Sequence, residues 1–283
     1  MPPPLPRSLR PAPVVSGIAF AEGPTFDRRG DLYFVNYLRL GTIGRLPADG
    51  GEAEVWVEMG GQANGLKCDA AGRIVCADFG AKRITRFDTA TRAMEVLTDS
   101  YGGEPYLGPN DLCLDQAGNV YFSDPVGSSA ESPTGAVYRI GMDAAGRLGG
   151  VRRVADNLAF PNGLAVHPDG RRLFVAETGT NRLLCFNIAP GGGLANERTT
   201  LEFATPSLDG IAFDEHGRLW VARWVNGTVD VVDVDAGRLL ASYPVGDRAT
   251  NLCWRGESVY ITVAGLEAIV RLDAGVRGYD PVG

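Results

Sequence analysis

The sequence predicts an all-β fold, a six-bladed β-propeller, and three observations carry that prediction. Six times along the chain a short polar residue opens an apolar strand, a turn follows, and a second apolar strand returns. These segments are EGPTFDRRGDLYFVN from Glu22, NGLKCDAAGRIVCAD from Asn64, NDLCLDQAGNVYFSD from Asn110, NGLAVHPDGRRLFVAE from Asn162, DGIAFDEHGRLWVAR from Asp209 and the worn TNLCWRGESVYIT from Thr250. Their starts lie 42, 46, 52, 47 and 41 residues apart, the period of a propeller blade. No long helical pattern interrupts them, and 38 Gly and 18 Pro suit a chain of many tight turns.

The fourth repeat shows how one blade is built. Gly163–His167 is a short apolar strand, and Pro168, Asp169 and Gly170 form a turn in which Pro presets φ and Gly accepts a positive φ. Arg172–Ala176 returns. Asn181–Ile188 is a third strand with Leu183, Cys185 and Asn187 alternating against Leu184, Phe186 and Ile188, and Thr199–Phe203 is the outer strand. Third strands in the other blades fall at Thr42–Leu46, Lys82–Asp88, Gly135–Asp143, Gly227–Val234 and Glu267–Asp273. The sixth blade then lacks an outer strand, which would leave an open edge. Ala12–Ala19 is the free strand-like run, so it is expected to pair with the last blade and close the ring. Residues 1–283 read as one propeller domain, with a Pro-rich tail at 1–11.

Composition removes several function classes. A net charge of −7 argues against a nucleic-acid partner. Cys68, Cys76, Cys113, Cys185 and Cys253 fall inside strands without CxxC pairs or His neighbours, so they read as buried reduced thiols, with a Cys68–Cys76 bridge as the oxidised alternative. The N-terminal run lacks the apolar core of a signal peptide, and no stretch approaches the ~20 apolar residues of a membrane span. A cytoplasmic protein without membrane or nucleic-acid partners is expected. There is no GxSxG, and both His are placed on the far face, which disfavours a Ser-His hydrolase.

A propeller brings the same position of every repeat to the mouth of its central channel. The residues opening the first strands are Glu22, Asn64, Asn110, Asn162, Asp209 and Thr250; those closing the second strands, Asn36, Asp78, Asp124, Glu177, Arg223 and roughly Val263, share that face. Glu22, Asn110, Asn162 and Asp209 offer two carboxylates and two amide oxygens, a hard-donor set suited to calcium, magnesium or manganese and less suited to zinc and copper. Asn, Asp and Gly before a strand are also ordinary turn formers, so spacing alone leaves both readings open.

AEGP with Glu22, GPND with Asn110, PNGL with Asn162 and LDGIAFD with Asp209, together with FVAETGTNRL from Phe174 and FSDP from Phe122, resemble the family of gluconolactonase, senescence marker protein (regucalcin) and luciferin-regenerating enzyme. The resemblance implies a six-bladed propeller with one catalytic divalent cation held by Glu22, Asn110, Asn162 and Asp209. Calcium is the foremost expectation, with manganese, magnesium or zinc as alternatives. It implies hydrolysis of a lactone, a small-molecule substrate of sugar type or related to it, with Asp209 as the candidate base and Glu177 and Asp124 next. Diisopropyl fluorophosphatase is a relative, so a phosphotriesterase with Asp209 as nucleophile is a second reading, and a non-catalytic binding propeller a third. Regucalcin-type sugar lactonases carry an Arg two residues before the third-blade Asn; here that residue is Gly108. Arg223 or Asn64 would then supply polarity, and Tyr101, Tyr106 and Trp224 would line an apolar or flat substrate.

Overall fold

The computed structural model of the protein describes residues 2–143 and 145–282. Six four-stranded antiparallel sheets surround one axis. In order from the axis outward, blade 1 is Ala21–Phe26, Leu32–Asn36, Thr42–Leu46 and Glu54–Val57, and blade 2 is Ala63–Cys68, Ile74–Asp78, Arg83–Phe87 and Met94–Thr98. Blade 3 is Leu112–Leu114, Val120–Asp124, Gly135–Met142 and Leu148–Leu158; blade 4 is Pro161–Val166, Arg172–Glu177, Arg182–Ile188 and Leu194–Glu202. Blade 5 is Leu208–Phe213, Arg218–Arg223, Thr228–Asp233 and Arg238–Pro244. Blade 6 takes Ala249–Arg255, Ser258–Val263 and Ala268–Asp273, and its outer strand is Ala12–Ser16 from the other end of the chain. That strand pairs antiparallel with Ala268–Asp273, as expected, and closes the ring.

The repeating turn on the face away from the mouth explains the D-x-x-G motif. Asp27, Asp69, Asp115 and Asp214 each accept backbone N–H bonds from residues two and four positions on. Gly30, Gly72, Gly118 and Gly217 take the positive φ, between 75° and 92°, that the turn needs. Blade 4 has His167 in place of the Asp, and its Nδ1 accepts from Asp169 N at 3.1 Å. Both His lie in these far-face turns, remote from the mouth.

The core is six wedges rather than one. The alternation in Arg182–Ile188 puts Leu183 and Cys185 into the wedge with blade 5, and Leu184 and Phe186 into the wedge with blade 3. Val15 and Ile18, beside Cys253 and Ile269, complete the wedge between blades 6 and 1. The Pro-rich tail is held down: Leu5 and Leu9 pack on the wedge between blades 5 and 6, and the Pro3 and Pro6 carbonyls accept from Arg218 Nη1 (2.9 Å) and Tyr243 Oη (2.7 Å). All five cysteines are free thiols, and all but Cys68 are fully buried. Among the described residues no helix is long and apolar enough to cross a membrane.

Candidate metal centre and active site

Glu22, Asn64, Asn162 and Asp209 each sit where an inner strand begins, beside an irregularity of pairing in the blade, whereas Asn110 stands just ahead of the regularly paired Leu112–Leu114. The register shifts between Glu22 and Thr25, Ala63 and Leu66, Pro161 and Leu164, and Leu208 and Ile211. This local bulge turns the opening side chain toward the axis. Glu22, Asn162 and Asp209 are thereby buried, and Asn110 is half-buried. Asn64 holds the same position in blade 2, also buried.

Thr250 departs from the expected ring. Its hydroxyl is turned to the backbone, donating to Ala21 O at 2.8 Å and meeting Thr262 Oγ1 at 2.7 Å, so it ties blade 6 to blade 1. The next residue, Asn251, enters the channel instead. Its Nδ2 donates to Asp111 Oδ2 at 3.2 Å, and blades 6 and 3 are opposite one another, so this bond crosses the axis. Four glycines make the room. A Cβ on Gly210 would stand 2.2 Å from Asn251 Oδ1 and one on Gly65 2.5 Å from Asp111 Oδ1; on Gly23 and Gly163 it would meet backbone. The repeats already held this signal: the residue after the ring position is Gly in blades 1, 2, 4 and 5, but Asp111 and Asn251 in the other two.

The result is a concentration of buried negative charge. Burial, then the Asp111 charge, pushes the Glu22 carboxyl up to about 8, against partial relief from Gly23 N–H and the Asn251 amide. Burial raises Asp209 well above the ordinary carboxylate range, and Glu22 and Asp111 add to it, while the Asn162 amide opposes. Asp111 is raised chiefly by burial. Below them Lys67 Nζ is buried without a hydrogen-bond partner among the described residues, its charge favouring the ionised forms of Glu22 and Asp111.

Asn162 Oδ1 is likewise buried and unpaired beside Asp209. A buried amide oxygen without a donor is costly unless something absent from the protein atoms meets it. The residues therefore fit a hard cation on Glu22, Asn110, Asn162 and Asp209. No cluster of three His, Cys, Asp or Glu side chains with ligand geometry occurs among the described residues, as the set is half carboxamide. A cavity of about 360 Å³ lies at the opposite end of the channel, roofed by residues 278–282 and lined by Lys67, Cys113 and Cys253; it lacks the ring and is separated from it by the Asp111–Asn251 crossbar.

The second-strand ends have a different role from the one the sequence suggested. Asp124 accepts from Leu107 N (2.9 Å) and Gly108 N (2.6 Å); Glu177 accepts from Ala159 N (2.9 Å) and pairs with Arg182; Arg223 pairs with Asp230 (2.7 Å) and donates to Thr205 O (2.7 Å). Each clasps the loop that leads into its own blade, two to four residues before Asn110, Asn162 or Asp209. These side chains are almost fully buried and committed, so they orient ring residues rather than meet substrate. Tyr106 is also interior: its hydroxyl donates to Ser100 O (3.0 Å), and its ring packs edge-on against Phe122 and Tyr138. Tyr101 lies partly exposed on a two-residue hairpin and packs against Tyr138. Trp224 stays at the mouth, its ring 5.4 Å from Phe20.

Several known proteins are similar to this chain. Gluconolactonase of Zymomonas mobilis is 25% identical over 280 residues, covering 89% of this chain and 78% of that protein. Diisopropyl-fluorophosphatase of Loligo vulgaris is 29% identical over 252 residues, covering 80% and 78%. The structure of a Xanthomonas campestris gluconolactonase superposes with a TM-score of 0.81 at 26% identity, over 94% of this chain and 89% of that one. The sequence profile of the SMP-30/gluconolactonase/LRE-like region matches residues 20–265, and the chain accordingly belongs to this family of lactonase-type propeller hydrolases.

Proposed function

We propose that the protein is a divalent-cation-dependent lactonase with its reaction centre at Asp209. The observation that carries the reading is the buried group of Glu22, Asp111 and Asp209 beside the orphaned Asn162 oxygen. Three carboxylates against the Lys67 ammonium leave a formal surplus of two negative charges, which one divalent cation balances. Oxygen donors without His or Cys favour calcium, with manganese or magnesium next.

Glu22, Asn110, Asn162 and Asp209 would hold the cation, which when bound would supply Lewis-acid polarisation of the lactone carbonyl. With that charge balanced, Asp209 is ionised, and its carboxylate accepts a proton from the attacking water. The water oxygen bonds to the carbonyl carbon, the ring C–O bond breaks, and the proton on Asp209 passes to the departing alkoxide, giving a hydroxy acid. The Asp111–Asn251 crossbar spans the channel below this centre.

Acid release from a lactone panel, with calcium and with chelator, tests this. Turnover is expected only with the cation, and Asp209→Ala should lower it at least about 10³-fold while the protein still folds. Cation-independent turnover surviving Asp209→Ala rules the reading out.

The Loligo relative supports a second reading, phosphotriester hydrolysis with Asp209 as nucleophile. A single turnover in ¹⁸O-water decides: label in Asp209 supports it, and label solely in product supports water attack. The free thiols accord with a reducing cytoplasm.

A further inference from the structure

Two repeat positions stand above the ring and wall the mouth: the residue two before each ring residue, and the residue after each second strand. At the first stand Phe20, Gly108 and Phe160; at the second, Tyr37, Phe79 and Trp224. The five aromatic side chains among these belong to residues that are only partly buried, unlike the blade cores beneath them. Phe20 lies 5.2 Å from Tyr37 and 5.4 Å from Trp224, and Tyr37 lies 6.0 Å from Phe79. Blades 1 and 5 are not neighbours, so the Phe20–Trp224 contact spans the top of blade 6, near the axis. Tyr37 is close enough to the ring for the Glu22 charge to act on its phenol. The rings are therefore continuous with the proposed reaction centre.

Of the polar side chains at these two positions, the Gln62 amide is uncommitted among the described residues, and the others are largely occupied. Thr178 Oγ1 donates to Leu208 O at 2.6 Å, Ser207 Oγ accepts from Val225 N at 2.7 Å, and the Arg248 guanidinium lies over Trp224 and beside Asp247. At Gly108 a Cβ would meet Val126 Cγ2 at 2.6 Å and the Phe79 ring at 3.3 Å, so no side chain fits there to bind hydroxyls. A polyhydroxylated ring in this mouth would lose more hydrogen bonds to water than the Gln62 amide and the Arg248 guanidinium could return. An apolar group would gain ring contact on several sides.

We infer that the substrate is a lactone carrying an aryl or alkyl substituent, seated against Trp224, Phe20, Tyr37, Phe79 and Phe160, rather than a sugar lactone. This rests on the lactonase reading above. The test compares dihydrocoumarin and γ-decalactone with glucono-1,5-lactone and unsubstituted γ-butyrolactone, using calcium-loaded protein. Binding of an alkyl-substituted lactam is followed separately by isothermal titration calorimetry. The substituted lactones should show kcat/KM at least about tenfold above the sugar lactone, the scale of one or two apolar group contacts. Trp224→Ala, and independently Phe160→Ala on blade 4, should cut the preference for γ-decalactone over γ-butyrolactone at least about tenfold, mainly through KM. Preference for glucono-1,5-lactone, with no lactam binding, overturns the inference and leaves the lactonase standing. Lactam binding that is lost in both variants, with no lactone turned over, supports the apolar pocket and overturns the lactonase reading instead.

Discussion

Glu22 shows how a single side chain couples folding to ligand. Its carboxyl is pushed up to about 8, whereas in the unfolded chain it titrates near the ordinary 4.5. Between these values the folded protein holds a proton that the unfolded chain has released. Raising pH through this window therefore stabilises the unfolded state relative to the folded one. The cation-free protein should melt progressively lower from pH 5 to pH 8, and the calcium-induced rise in melting temperature should be larger at pH 8. Glu22→Gln removes the buried charge at nearly constant shape. Chelated Glu22→Gln should be more stable than the parent at pH 7 by about 1–3 kcal/mol and should lose most of the calcium response. Thermal melts with calcium and with chelator check both statements; equal calcium responses in the two proteins would remove Glu22 from the ligand set.

At the scale of the element, blades 2 to 5 are strand meanders whose second strand ends in a clasp on the loop that leads into it, with Asp78 accepting from Gln62 N in blade 2. Asp124 is the cleanest example, because it receives two backbone N–H groups just before Asn110. Removing it leaves both donors buried without an acceptor, at a cost of about 1.5–3 kcal/mol for each charge-assisted bond. Asp124→Ala should therefore destabilise the fold by about 3–5 kcal/mol and weaken calcium binding, while Asp124→Asn retains part of both. Denaturant melts and calorimetric titration separate the two effects; full calcium affinity in a destabilised Asp124→Ala would confine the clasp to stability. The D-x-x-G turns at the opposite face were readable directly, since a short acceptor and a residue with positive φ are local requirements. The clasps were not, because Asp78, Asp124, Glu177 and Arg223 sit at one repeat position with different chemistry and find partners only once the loop folds over them.

For the whole molecule, closure is the decisive event. Ala12–Ser16 supplies the outer strand of blade 6, and Val15 and Ile18 fill the wedge beside blade 1. Removing residues 2–16 would expose the edge of Ala268–Asp273 and open that wedge. The truncated protein should melt about ten degrees lower or more, at a few degrees per kcal/mol for a domain of this size, and should associate with rising concentration. Melting and light scattering check this, and an unchanged melting temperature and scattering mass would show that five and three-quarter blades close unaided.

The sequence by itself determined the six-bladed ring, its closing strand and the common repeat position of Glu22, Asn110, Asn162 and Asp209, because a repeat of forty-odd residues writes each blade position once per period and the ring position inherits that regularity. Turn chemistry and strand alternation are short-range, so they too are legible along the chain. Only the tertiary structure decided which polar residues are free to meet a ligand. Asp111 and Asn251 join hands across the axis 140 residues apart, Thr250 turns to its neighbour's backbone, and Arg223, Glu177 and Asp124 are bound to their own loops. The reason is physical: a buried polar side chain takes the nearest unsatisfied partner, and which partner is nearest depends on how blades meet, which no single repeat encodes.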